Sequence, residues 1–179
     1  LQPDEFLAKP YTMRDLQNRI ERVLQRKQQL ASVYHWMEQG RLDRALEQLD
    51  QMLTNGEHLK LIPLLLKMKG ELLLTQQNYS QAQAFFSSVL QLQPLSWARI
   101  GLIKALQAQQ DHAAATAQIQ LLSPKGESRL FMLEQLAEQE FQRQDFQQAQ
   151  QLLEQATALA PRNLLRQQKL LQLSRLNHD

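Results

Sequence analysis

Alanine returns at positions 45, 82, 115 and 149, at steps of 37, 33 and 34 residues, and each time a polar turn stands just ahead of it. The turns read Gly40-Arg41-Leu42-Asp43, Gln77-Asn78-Tyr79, Gln110-Asp111-His112 and Arg143-Gln144-Asp145-Phe146. Pro94, Pro124 and Pro161 close three of the units, and Asn55-Gly56, good residues for a helix C-terminus, close the first. The stretch from Gly70 to Pro94 shows what one unit contains. Leu72-Leu73-Leu74 precede a polar break at Gln76-Gln77-Asn78, and Ala82, Phe86, Val89 and Leu90 follow it at three- and four-residue steps. That spacing predicts two amphipathic helices back to back, which must bury their apolar faces on each other and on their neighbours. Gly70 and Ala82 lack bulk, so the helices can approach where their faces cross, and Pro94 cannot continue the second one.

A helix, a polar turn, a second helix and a proline at this period resemble a tetratricopeptide repeat, a unit of about 34 residues. The resemblance covers residues 29–161 and implies an all-α superhelix of about four helix hairpins. The predicted helices span 13–39, 42–54, 60–76, 79–92, 95–109, 111–122, 127–143 and 145–159, with Pro63 tolerated in a first helical turn. Pro124 comes early, so the second helix of the third unit must be short. After Pro161, Asn163 is an N-cap candidate, and Leu164, Leu165, Leu170, Leu171, Leu173 and Leu176 fall in helical register. The segment 162–179 is then either a cap on the stack or the first helix of a further repeat. Its many leucines favour the second.

Residues 1–12 stand outside the repeats. Phe6-Leu7-Ala8 is strand-like and runs into Lys9-Pro10; Thr12 is an N-cap candidate with Asp15 completing a capping box, and Leu16, Ile20, Val23 and Leu24 form one stripe. Asp4 to Thr12 with Leu16 and Ile20 resembles the end of a response-regulator receiver domain, its last strand and last helix, over residues 1–28. That resemblance implies that Lys9 contacts the phosphoryl group on the acceptor aspartate, that Pro10 follows it through a cis peptide bond, and that Phe6 is the switch aromatic. The acceptor aspartate and its acidic partners lie upstream in that family and are absent from this sequence. Mg²⁺ and a histidine kinase are therefore expected for the complete receiver domain, and no cofactor for these 179 residues themselves. No breaker separates Thr12 from Gly40, so the junction is expected to be a rigid rod. A receiver cut short leaves apolar residues such as Ile20 and Leu24 in search of cover, which allows homodimers.

The remaining composition narrows the function classes. Formal net charge is +2, which argues against a nucleic-acid binder on charge alone, and cysteine is absent, which excludes disulfides and thiolate metal sites. No apolar run approaches the length of a membrane span, no signal peptide is visible, and a cytoplasmic setting is expected. His35, His58, His112 and His178 are scattered over different elements, with no metal-ligand spacing, phosphate loop or nucleophile motif. His35 beside Trp36 reads as a packing pair. No catalytic residue and no metal ligand is predicted, and the chain is not expected to be an enzyme.

In tetratricopeptide repeats the first helix of each pair lines a concave groove. By helical register the groove residues here would be Tyr34, Met37, Lys67, Glu71, Leu74, Trp97, Ile100, Lys104, Phe131, Glu134, Glu138 and Phe141. Aromatics in such a groove are anchors for a protein or peptide, although Trp97, Phe131 and Phe141 could equally pack between helices as core. Lys67 and Lys104 alternate with three glutamates and no inner asparagine fits, which argues against the carboxylate-clamp type that grips chaperone tails. The expected function is an adaptor module of a two-component response regulator, binding a partner under control of upstream phosphorylation. The competing expectations are a constitutive repeat scaffold and, a distant third, an RNA-binding helical repeat, which would need a basic groove.

Overall fold

The structure is a computed structural model that describes residues 10–56, 59–123, 126 and 128–177. Among these residues there are helices and turns and no strand. The helices are α1 (Met13–Gln29), α2 (Ala31–Glu38), α3 (Leu42–Asn55), α4 (Ile62–Thr75, preceded by a 3₁₀ turn at Leu59–Leu61), α5 (Tyr79–Leu92), α6 (Ser96–Ala108), α7 (His112–Gln120), α8 (Ser128–Gln142), α9 (Phe146–Leu159) and α10 (Leu164–Leu176). The all-α class and the helix-turn-helix order expected from the period are both present. Phe6 and Lys9, as well as His58, Pro124 and His178, lie outside the described residues. Pro10 is an exposed bend.

The turns ahead of α3, α5, α7 and α9 share one construction. Each carries a residue with positive φ, namely Gly40 (69°), Gln77 (59°), Gln110 (62°) and Gln144 (66°). The next residue is the helix N-cap. Asp111 and Asp145 each accept a 3.0 Å bond from the amide three residues on, Ala114 and Gln148. Inside the helices, burial repeats with the period. Ala45, Leu49 and Met52 are buried on α3; Ala82, Phe86 and Val89 on α5; Ala115 and Ile119 on α7; Ala149, Leu153 and Ala156 on α9. The sets on α3, α5 and α9 follow an i, i+4, i+7 course and the pair on the shorter α7 its first step, the stripe a helix needs when one face meets its neighbours. α3 ends at Gly56 in the left-handed conformation, and α7 is short, as the early proline required.

The chain forms two compact units that divide between Leu72 and Leu73, within α4. In the first, α2, α3 and the start of α4 enclose a core of Leu30, Val33, Ala45, Leu49, Leu65 and Leu72. In the second, α5 packs on α6, α6 on α7 and α8, and α8 and α10 on α9. One core patch there is Ile103, Ile119 and Leu122, and another is Ala137, Ala149, Leu153 and Leu173.

The capping box ahead of α1 is complete: the Asp15 amide donates to Thr12 Oγ1 at 3.1 Å, and the Thr12 amide donates to Asp15 Oδ2 at 3.0 Å. The uninterrupted helix expected from Thr12 to Gly40 is not found. Leu30, with ψ of 6°, leaves the helical region and separates α1 from α2. The break falls where the two stretches part in environment. Leu30 and Val33 are fully buried, whereas α1 buries no residue at all. Helical propensity alone gives no warning of the break, which coincides with the entry of Leu30 into the core.

Candidate binding groove

One concavity of the second unit lies between α8 and α10. It is a cleft of about 480 Å³, within the size range of ligand sites. Its floor is the buried Ala137, Leu153 and Leu173, with half-buried Phe141 at one side. Leu165, 72% exposed, stands on its rim. α10 is positioned for this by its first turn, where Asn163 caps the helix by accepting from the Arg166 amide at 3.1 Å. That cap carries the Arg166 side chain inward, where it is 4% exposed. Arg166 Nε and Nη2 donate to Glu134 Oε1 at 3.0 and 2.6 Å, and Nη1 donates to the Ala160 carbonyl. About one turn along each helix, Lys169 Nζ donates to Glu138 Oε2 at 2.8 Å. Both acids on the α8 wall are thus matched by both bases on the α10 wall, and the four charges cancel within the cleft.

The structure distributes the residues expected in a groove among three environments. Tyr34 and Met37, in the first unit, are half-buried and pack against its core; Lys67 and Glu71 are exposed and Leu74 is half-buried. In the second unit the Trp97 ring lies 6.3 Å from the Phe86 ring, edge to face, while Ile100 and Phe131 pack on the patch around Ile103. Lys104 is exposed. Glu134, Glu138 and Phe141 come together in the α8–α10 cleft, with the Phe141 ring 5.5 Å from that of Phe146. His35 and Trp36 stack edge to face at 5.3 Å, the packing pair their adjacency suggested, and Arg41 lies 5.7 Å from the Trp36 ring. Among the described residues no three acids or histidines gather in a metal-binding arrangement, and no helix is long and apolar enough to cross a membrane.

Arg166 and Lys169 are the charged cleft residues that helical register on the first four hairpins does not reach. A signal for them exists in the sequence. Side chains on consecutive first helices meet across 28 residues at Gln107 and Gln135, 32 at Glu134 and Arg166, and 31 at Glu138 and Lys169. A scan for opposite charges slightly less than one repeat apart would have found both pairs.

Comparison with solved structures places this architecture. A tetratricopeptide repeat protein from Parabacteroides merdae superposes with a TM-score of 0.65 at 14% identity, over 85% of this chain and 60% of that one. The likeness shows the fold. This chain spans about 60% of the length of that neighbour. No protein-family model and no curated protein matches the sequence.

Proposed function

We propose that the chain is the protein-interaction part of a response regulator, holding a partner protein or peptide against the first helices of its hairpins while phosphorylation of a receiver domain ahead of it governs that binding. The observation that carries the binding half is the α8–α10 cleft, an apolar floor with orienting polar groups at its walls. The tetratricopeptide fold supports the same reading, since such hairpin repeats present shape rather than chemistry. The regulatory half rests on the sequence from Asp4 to Ile20 and on the capped helix α1 that follows. In this reading a histidine kinase serves the receiver, Mg²⁺ is the receiver's cofactor, the setting is the cytoplasm, and these 179 residues perform no catalysis.

A constitutive scaffold is the second reading, and the interruption at Leu30 favours it, because a break there loosens the mechanical link between α1 and the hairpins. The two separate on one experiment. The protein carrying a receiver ahead of Leu1 is incubated with a small phosphodonor, and acid-labile phosphoryl groups are mapped. Uptake on an aspartate upstream of Leu1, with its effect on shape lost in Lys9→Ala, supports the regulated adaptor. No uptake under conditions that label a control receiver leaves the constitutive scaffold.

A further inference from the structure

We infer that the α8–α10 cleft takes a partner of one kind, a short amphipathic helix with an uncharged, leucine- or aromatic-bearing face. The inference rests on the reading of this fold as a protein-binding module and adds the partner's chemistry and place.

Charge is the first argument. Arg166 and Lys169 on one wall are matched by Glu134 and Glu138 on the other, at 2.6 and 2.8 Å. A charged tail entering the cleft finds no net opposite charge. To gain one at the inner pair it must separate Glu134 from Arg166, whose guanidinium is almost wholly withdrawn from water, and breaking such a pair leaves a buried charge without compensation; the outer pair, Lys169–Glu138, is solvent-exposed, so a charge freed there is screened and contributes little. The cleft is therefore complementary to a neutral surface.

Backbone accounting is the second. The cleft is built of helices whose main-chain groups bond within themselves, so its floor of Ala137, Leu153 and Leu173 offers no row of donors and acceptors. An extended peptide laid on that floor loses water from its own amides and carbonyls and finds side-chain partners only at the walls, such as Gln135 and Gln172, too few to replace a row of main-chain bonds. A helical segment satisfies its backbone internally and presents only side chains. The ridges of α8 and α10 form the kind of groove into which a third helix packs.

Leu165 is the third. It is 72% exposed and sits beside the buried floor. A leucine so placed is taken out of water when an apolar anchor covers it, which favours such an anchor.

The test pans a phage-displayed library of helix-forming peptides, about 16 residues long with one face randomised, against the whole chain. The recovered consensus is then synthesised with blocked ends. Binding is followed by fluorescence anisotropy, and helix formation by circular dichroism. The expected result is apolar residues at i, i+3 or i+4 and i+7 between uncharged flanks, with affinity lowered about tenfold or more by Leu165→Glu. Leu165 is exposed, so that variant folds; Gln172→Glu, also exposed and lining the cleft, gives an independent loss. Recovery of acidic, basic or extended proline-rich peptides that still depend on Leu165 overturns the partner chemistry and leaves the binding module standing. Binders indifferent to both Leu165→Glu and Gln172→Glu overturn the location, whether or not Lys104→Glu on α6 abolishes them. No binder from helical, extended or charged libraries overturns this inference and the binding reading together.

Discussion

Gly101 of α6 lies directly against the ring of Phe86 of α5: a methyl group added at Gly101 would fall within 2.6 Å of Cζ, Cε1 and Cε2. The ring has little room to move aside, since Phe86 is buried and its ring lies 5.5 Å from that of Phe85 and 6.3 Å from that of Trp97. Glycine inside a helix costs about 1 kcal/mol relative to alanine, so its presence here marks a contact worth more than that. Gly101→Ala should destabilise the protein by about 2 kcal/mol, overpacking outweighing the gain in helix propensity. Urea unfolding measures it. Phe86→Leu on the Gly101→Ala background should recover part of the loss, because the smaller side chain vacates the ring's space. An unchanged or raised midpoint in Gly101→Ala would show that α5 and α6 are not in this contact.

Three of the four hairpin turns put a glutamine where glycine is at ease. Gln77, Gln110 and Gln144 have φ of 59°, 62° and 66°, and Gly40 occupies the same place in the first unit at 69°. The left-handed conformation costs an L-residue about 1–2 kcal/mol, offset in part by the greater freedom glycine loses on folding. Each of Gln77→Gly, Gln110→Gly and Gln144→Gly should therefore raise stability by about 0.5–1 kcal/mol. Gly40→Ala should lower it by a similar amount. Thermal and urea midpoints of the four single variants decide the matter, and a fall in stability in the glutamine variants would mean that their side chains contribute more than their strain costs.

The hairpins could be read from the sequence because each rests on local rules applied several times over. Ala45, Ala82, Ala115 and Ala149 mark where a second helix approaches its neighbours, and every one of them is buried at 2% exposure or less. Caps were legible for the same reason, since Thr12 and Asn163 act on amides three residues away. What escaped was non-local. Nothing in the string near Leu30 announces the break, which coincides with a core that Leu30 shares with Leu49 and Leu65. Gly70 and Ala82 are both buried, as their lack of bulk suggests, whereas the close approach of Gly101 to Phe86 has no such signal, since which glycine faces a ring depends on how two helices cross. In the cleft, Glu134, Glu138 and Phe141 were placed by register, whereas Arg166 and Lys169 were not, as their partners lie about 30 residues away.

Acid should loosen the first turn of α1. Thr12 Oγ1 donates to Asp15 Oδ2 at 2.7 Å and the Thr12 amide adds a second bond, and these hold the Asp15 carboxyl below its ordinary value of 3.8, with a smaller contribution from Arg19. A carboxyl whose pKa is depressed on folding contributes its stabilisation in full above the ordinary value and loses it as pH falls through the depressed one. Amide exchange at Thr12 to Leu16 should accelerate beyond its intrinsic pH dependence below about pH 4, and Asp15→Asn should remove that excess. The global unfolding midpoint should not follow, because α1 buries no residue. Equal fraying of the first turn at pH 6 and pH 3 would sink the assignment.

The two ion pairs across the α8–α10 cleft should differ sharply in what they contribute. Arg166 is 3% and Glu134 35% exposed at the side chain, whereas Lys169 and Glu138 are 60% and 44% exposed. Glu134→Ala leaves a buried guanidinium with the Ala160 carbonyl as its remaining acceptor. The loss should be about 2–3 kcal/mol, below that of a wholly buried pair because water reaches Glu134. Glu138→Ala should cost less than about 1 kcal/mol, as exposed pairs do. Amide exchange along α10 should rise in the first variant and barely in the second. Replacing both members, with Glu134→Leu and Arg166→Met, should return most of the stability, since the penalty in the single variant comes from an unpaired charge rather than from lost attraction. Equal losses at Glu134 and Glu138 would mean that α10 is held to α8 by its leucines alone.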